Sequence, residues 1–159
     1  MLQKNKLTNM SNSKQSTSPY YRLENSSGSH SGLLTIKTGK NKQEMIEEIR
    51  NYHGDWLQKF PEFHNEDQKI DMAIVIDRKG TYIYRQDLDN IAKVFLDALK
   101  GYLFYDDAQI VRLLLVKEDA KPVEKYYGDE NKIKTDQISI SFRKYEPEKQ
   151  MILISPKYI

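Results

Sequence analysis

Between Asp87 and Gln109 the chain writes one helix inside an acidic frame. Leu88, Ile91, Ala92, Phe95, Leu96 and Leu99 recur at helical spacing and make one apolar stripe, so this segment has to lie against a core. Gly101 follows the last stripe residue, where a helix end commonly takes a left-handed cap. Asp87 and Asp89 open the helix and Lys93 sits one turn in. After the aromatic loop Tyr102-Leu103-Phe104-Tyr105 comes the pair Asp106-Asp107. Each acid has an ordinary use. Asp87 suits an N-cap, Asp89 suits the positive end of the helix dipole and an i,i+4 pair with Lys93, and Asp106 and Asp107 suit a turn.

Taken together, this many carboxylates around one lysine read as a site for a hard metal. Mg²⁺ prefers oxygen ligands and keeps several waters, and a neighbouring lysine serves phosphate chemistry. Geometry narrows the set. Residues two apart on a helix point roughly 200° apart, so Asp87 and Asp89 share an ion only if Asp87 stands at the cap or in an extended segment. Asp97 lies about 12 Å along the axis from Asp89, too far for the same ion, and is read as structural. The third carboxylate is expected from Asp106-Asp107, brought back by the loop after the helix. Neighbours in an extended segment point opposite ways, so one of the two ligates.

The run Arg85-Gln86-Asp87-Leu88-Asp89-Asn90 with Lys93, then Asp97-Ala98-Leu99, then Asp106-Asp107-Ala108-Gln109-Ile110, resembles the signature of the RusA-type Holliday junction resolvases. These are small, dimeric, Mg²⁺-dependent endodeoxyribonucleases of bacteria and their phages. The likeness covers about Ile70 to Lys117. The Lys-Asn-Arg segment with which the family usually opens has no counterpart in residues 1 to 40.

The resemblance implies a catalytic set of Asp87, Asp89, Lys93 and Asp107. The three acids would hold Mg²⁺, or Mn²⁺ in its place, and Asp107 rather than Asp106 would be the third ligand. The implied reaction is phosphodiester hydrolysis in DNA recombination and repair. A metal-activated water attacks phosphorus and leaves a 3′-hydroxyl and a 5′-phosphate, while Lys93 offsets the growing charge. A two-fold homodimer would place paired nicks on a four-way junction. Arg85, Asn90, Lys100 and Tyr105 are expected to contact the branched DNA, with Tyr105 able to stack on bases. Two of the loop aromatics are expected simply to anchor the loop on the core. Two other readings stand beside this one: a different branched-DNA or flap nuclease on the same scaffold, and a non-catalytic DNA-binding protein whose acids are caps.

The remaining sequence sets the frame. A chain of 159 residues makes one domain with a single core. Residues 1–32, rich in Ser, Asn and Lys, read as a tail, and residues 33–159 as the nuclease domain. There is no cysteine, which excludes disulfides and thiolate chemistry, and His30, His53 and His64 show no metal spacing. The net charge of +2 is a weak pointer to nucleic acid. No apolar run is long enough for a membrane span, and a cytoplasmic protein is expected.

Leu33 to Lys37 reads as a first strand. Asn41 and Glu44 resemble a capping box, and Met45, Ile46, Ile49, Tyr52, Trp56 and Leu57 follow helical spacing until Pro61 stops the helix near residue 59. Trp56 is read as a core anchor. Ile70 to Asp77 reads as a central strand and Ile110 to Lys117 as a buried one. From Gln137 to Lys144, Ile138, Ile140 and Phe142 point inward and Ser139, Ser141 and Arg143 outward. Met151 to Ile154 reads as a last edge strand. The order β-α-β-α-β-β predicts an α/β (α+β) fold, a small mixed sheet with helices mainly on one face.

Overall fold

A computed structural model describes residues 20–24, 28–37, 41–77, 87–118 and 135–156. Its elements are β1 (Arg22–Leu23), β2 (His30–Lys37), α1 (Lys42–Leu57), β3 (Ile70–Asp77), α2 (Leu88–Leu99), β4 (Ile110–Glu118), β5 (Thr135–Lys144) and β6 (Leu153–Ile154). Short 3-10 turns at Pro61–His64 and Asp107–Gln109 precede β3 and β4.

The main sheet runs β2-β5-β3-β4. β5 is antiparallel to both its neighbours, and β3 is parallel to β4, with Ile70 beside Ile110. A parallel neighbour needs a crossover, and α2 is that crossover. Ile70, Met72, Ile74 and Ile76 of β3 join Ile138, Ile140 and Phe142 of β5 under both helices in the core. α1 contributes Met45, Ile46, Ile49 and Leu57, and α2 contributes Ile91, Phe95, Ala98 and Leu99. The α+β architecture and the central place of β3 match the expectation from periodicity.

Several details differ from it. Tyr52, placed on the apolar stripe of α1 by spacing, is 67% exposed. β4 is an edge strand rather than a buried one, with Val111 43% and Leu113 37% exposed, because the helices cover the middle of the sheet and stop short of that edge. β6 is no edge of the main sheet. It pairs with β1 in a separate two-stranded sheet. The first main-sheet strand begins at His30, not Leu33, and Leu23 of β1, inside the stretch read as tail, is buried.

That small second sheet explains another difference. Ser139, Ser141 and Arg143 do point away from the helices, yet all three are buried. The Tyr21 and Leu23 main-chain N–H groups donate to Ser139 Oγ and Ser141 Oγ at 3.0 and 2.9 Å. Buried main-chain donors need acceptors, and the serines provide them. Arg143 Nε donates to Asp71 Oδ2 at 3.1 Å, while Arg112 grips both oxygens of Asp71 at 2.7 and 2.6 Å. Burial disfavours the Asp71 carboxylate, but the two guanidinium groups outweigh it and hold its pKa below the ordinary aspartate range.

α1 is anchored by its ends and its neighbour. Asn41 Oδ1 accepts from the Glu44 N–H at 2.9 Å, one half of a capping box. Trp56, partly buried, packs edge-on against Phe60 and Phe142. Gly54 lets Tyr102 approach, since a Cβ there would stand 3.1 Å from the tyrosine ring. Among the described residues, no helix is long and apolar enough to cross a membrane.

Candidate active site

The acids at the start of α2 are held as the sequence geometry requires. Asp87 takes the N-cap position with extended dihedrals (φ −67°, ψ 149°), and its side chain makes no capping hydrogen bond. Asp89 lies in the first turn. Asp87, Asp89, Asn90 and Lys93 are all exposed. Two carboxylates therefore project from one helix start, with the Asp87 side chain not spent on the cap. Arg85 lies outside the described residues.

The far end of α2 is built differently. Arg50 of α1 donates to the carbonyls of Asp97, Ala98 and Lys100 at 2.7, 3.0 and 3.2 Å, and so satisfies acceptors that a helix end leaves without intrahelical partners. Its guanidinium also lies over the Tyr102 ring at 4.9 Å. Gly101 takes φ +82°, the left-handed turn expected of it. Leu103 and Phe104 are fully buried, whereas Tyr105 is 58% exposed. Tyr102 and Phe104 thus anchor the loop, and Tyr105 is the aromatic left facing outward.

Asp106 and Asp107 have separate surroundings. Lys100 Nζ lies 3.1 Å from Asp106 Oδ1. This contact holds the Asp106 pKa below the ordinary aspartate value and raises that of Lys100. The Asp106 carboxylate also accepts from the Gln109 N–H in a capping box. Asp107 opens the 3-10 turn and is exposed.

Gln109, overlooked as a functional candidate in the sequence, ties this turn to the body of the protein. It is buried, and its amide is fully used. Oε1 accepts from the N–H groups of Tyr105 and Asp106 at 2.8 and 2.9 Å, and Nε2 reaches the carbonyls of Phe63, Asn65 and Gln68 at 2.8 to 2.9 Å. The carbonyls it reaches lie more than forty positions away in sequence. The one sign available in the chain is its place two residues after Asp107.

The structure does not bring the expected acids together within one chain. Asp87 and Asp89 stand at the N-terminus of α2, and Lys100 clasps Asp106 at the C-terminus. At 1.5 Å per residue, about 16 Å of helix axis separates Asp89 from Lys100. Mg²⁺ demands ligand oxygens at about 2.1 Å, so one ion cannot touch both ends. Consistently, no three acids or histidines among the described residues are grouped to hold a metal. The expectation that the loop returns Asp107 to the same helix end overlooked the parallel pairing of β3 and β4. Asp97, excluded as a ligand on distance, pairs with Lys42 at 3.0 Å.

Among curated proteins, none matches the chain. The family described as Endodeoxyribonuclease RusA matches residues 36–136, more than half of the sequence and all of the acidic region from Asp87 to Gln109. The chain therefore belongs to the RusA family, endodeoxyribonucleases that hydrolyse phosphodiester bonds to resolve Holliday junctions.

Proposed function

We propose that the working enzyme is a two-fold homodimer that cuts a four-way junction by paired symmetric nicks. Each active site is built from Asp87, Asp89 and Lys93 of one protomer and the partner's Asp107. RusA nucleases depend on a divalent metal, and Mg²⁺ is our assignment for this chain. The donor chemistry fits. Mg²⁺ is commonly held by one or two carboxylates with waters completing the shell, and Asp87 and Asp89 supply two from one helix start. When bound, the ion supplies Lewis acidity for activating water and polarising a phosphoryl oxygen.

The observation that carries this reading is the separation of the acids by the length of α2. A two-fold axis perpendicular to α2 reverses the direction of the helix in the second copy. The N-terminal acids of one protomer then face the Asp107 turn of the other. Leu88, Val111 and Leu113, apolar and exposed at the start of α2 and on the β4 edge, are what the second copy would cover. Lys93 lies one turn from Asp89 and places a cation where charge grows on the phosphoryl oxygens. Exposed Tyr105 and Asn90, together with Arg85, would meet the junction arms.

Subunit mixing tests this arrangement. Asp89→Asn and Asp107→Asn should each be inactive on a labelled mobile four-way junction with Mg²⁺. Mixed and allowed to exchange, they form heterodimers in which one site carries both changes and the other carries neither. Activity should return as nicks on one strand per junction. If the mixture stays as dead as its parts while co-purification through different affinity tags on the two chains shows exchanged dimers, each site lies within one chain and the composite reading is wrong.

A further inference from the structure

The Gln109 amide presents an unusual use of a buried polar group. An amide in a protein interior costs stability unless its hydrogen-bonding capacity is met. Here it is met wholly by main-chain groups of two separate loops. The oxygen takes the N–H groups of Tyr105 and Asp106, and the nitrogen takes carbonyls of Phe63, Asn65 and Gln68. An apolar side chain of this size would fill the same space, but it would leave these main-chain groups without the partner they have now. Asp107 opens the short turn beside the Asp106 carboxylate, which it contacts, and its side chain is exposed.

From this we infer that Gln109 is a positioning residue for catalysis. It fixes the turn that aims the Asp107 carboxylate at the metal and Tyr105 at the DNA, by clamping that turn to the 63–68 loop. A carboxylate contributed across an interface has to arrive in one orientation, and ligand groups held loosely lose metal affinity. The inference rests on the reading of Asp107 as a metal ligand.

Gln109→Asn, one methylene shorter, cannot span both loops. The Mg²⁺ concentration for half-maximal cleavage should rise about tenfold or more, within the range seen when the supports of metal ligands are removed. Junction binding in Ca²⁺ should stay within about twofold of the parent. A purely structural role would lower the melting temperature and the active fraction yet leave the metal half-saturation where it was, and that result overturns the inference. Should the variant fail to fold, the parent protein answers the question by NMR. Added Mg²⁺ should shift the Gln109 side-chain amide and the Tyr105 and Asp106 main-chain amides in one titration with Asp107, and silence at those amides while Asp87 and Asp89 respond overturns it. Asp107→Asn, run alongside, separates the two failures. If Asp107→Asn is dead and Gln109→Asn shows parental metal dependence, only the positioning role falls. If Asp107→Asn cuts at the parental rate, the site reading and the positioning role fall together.

Discussion

Lys100 Nζ meets Asp106 Oδ1 at 3.1 Å, and the next residue, Asp107, is left exposed. Two adjacent aspartates in one turn thus have different partners. Asp106 is engaged by the Lys100 cation and by the Gln109 N–H. Asp106→Asn keeps a side-chain oxygen for the cap and loses only the charge, so cleavage should fall by less than about tenfold. Asp107→Asn should lose cleavage altogether while still binding the junction. Equal loss in both variants, measured on one labelled junction, would show that the clasp does not divide their roles.

The ion cluster on the other face of the sheet sets acid stability. Asp71 is fully buried between Arg112 and Arg143. Its folded pKa lies below its unfolded one, so the folded protein favours the charged form. The stabilisation is present above the ordinary aspartate pKa of about 3.9 and is lost as pH falls through the folded value. Asp71→Asn leaves the buried Arg143 without its anion and should cost about 3–5 kcal/mol at neutral pH. Its unfolding free energy should also depend less on pH below about 4 than that of the parent. A variant as stable as the parent in urea at neutral pH would contradict this account.

Gly32 marks a close approach of a different kind. A Cβ at this β2 position would stand 2.6 Å from the Trp56 ring. That ring is packed edge-on against Phe60 and Phe142 and has little room to retreat. Gly32→Ala should cost about 1–3 kcal/mol by overpacking, although alanine suits a strand better than glycine. Thermal unfolding at or above the parental midpoint would show that the aromatic cluster yields easily.

Periodicity alone made β3 and α2 legible, because Ile70 to Ile76 and Leu88 to Leu99 each carry a full apolar pattern. The burial of Ser139, Ser141 and Arg143 was not legible. The serines are covered by the segment around β1, which is two residues long and carries no period, and Arg143 by Asp71 and the Gln150 carbonyl. Alternation tells which side of β5 a residue faces, but not whether anything lies on that side. The candidate site divides in the same way. The acids and Lys93 stand out by type and spacing. The distance between Asp89 and Asp107 depends on β4 starting beside the start of β3, a register the sequence does not display. The role of Gln109 depends on contacts with a loop more than forty residues away.

Substitutions along α2 should separate catalysis from binding. Asp89→Asn keeps the side-chain size and removes a charge from the proposed metal site. It should abolish cleavage and leave junction binding intact or tighter, since an aspartate without its metal repels the phosphate backbone. Lys93→Ala should also stop cleavage, through loss of a cation from the transition state rather than loss of metal, so Mg²⁺ binding should survive. Asp97→Asn is the internal control. Asp97 sits about 12 Å along α2 from Asp89 and pairs with Lys42 in an exposed contact, so its loss should cost no more than about 1 kcal/mol and spare cleavage. Measured together on folded proteins, an active Asp89→Asn beside a dead Asp97→Asn would mean that α2 presents a different face to the DNA.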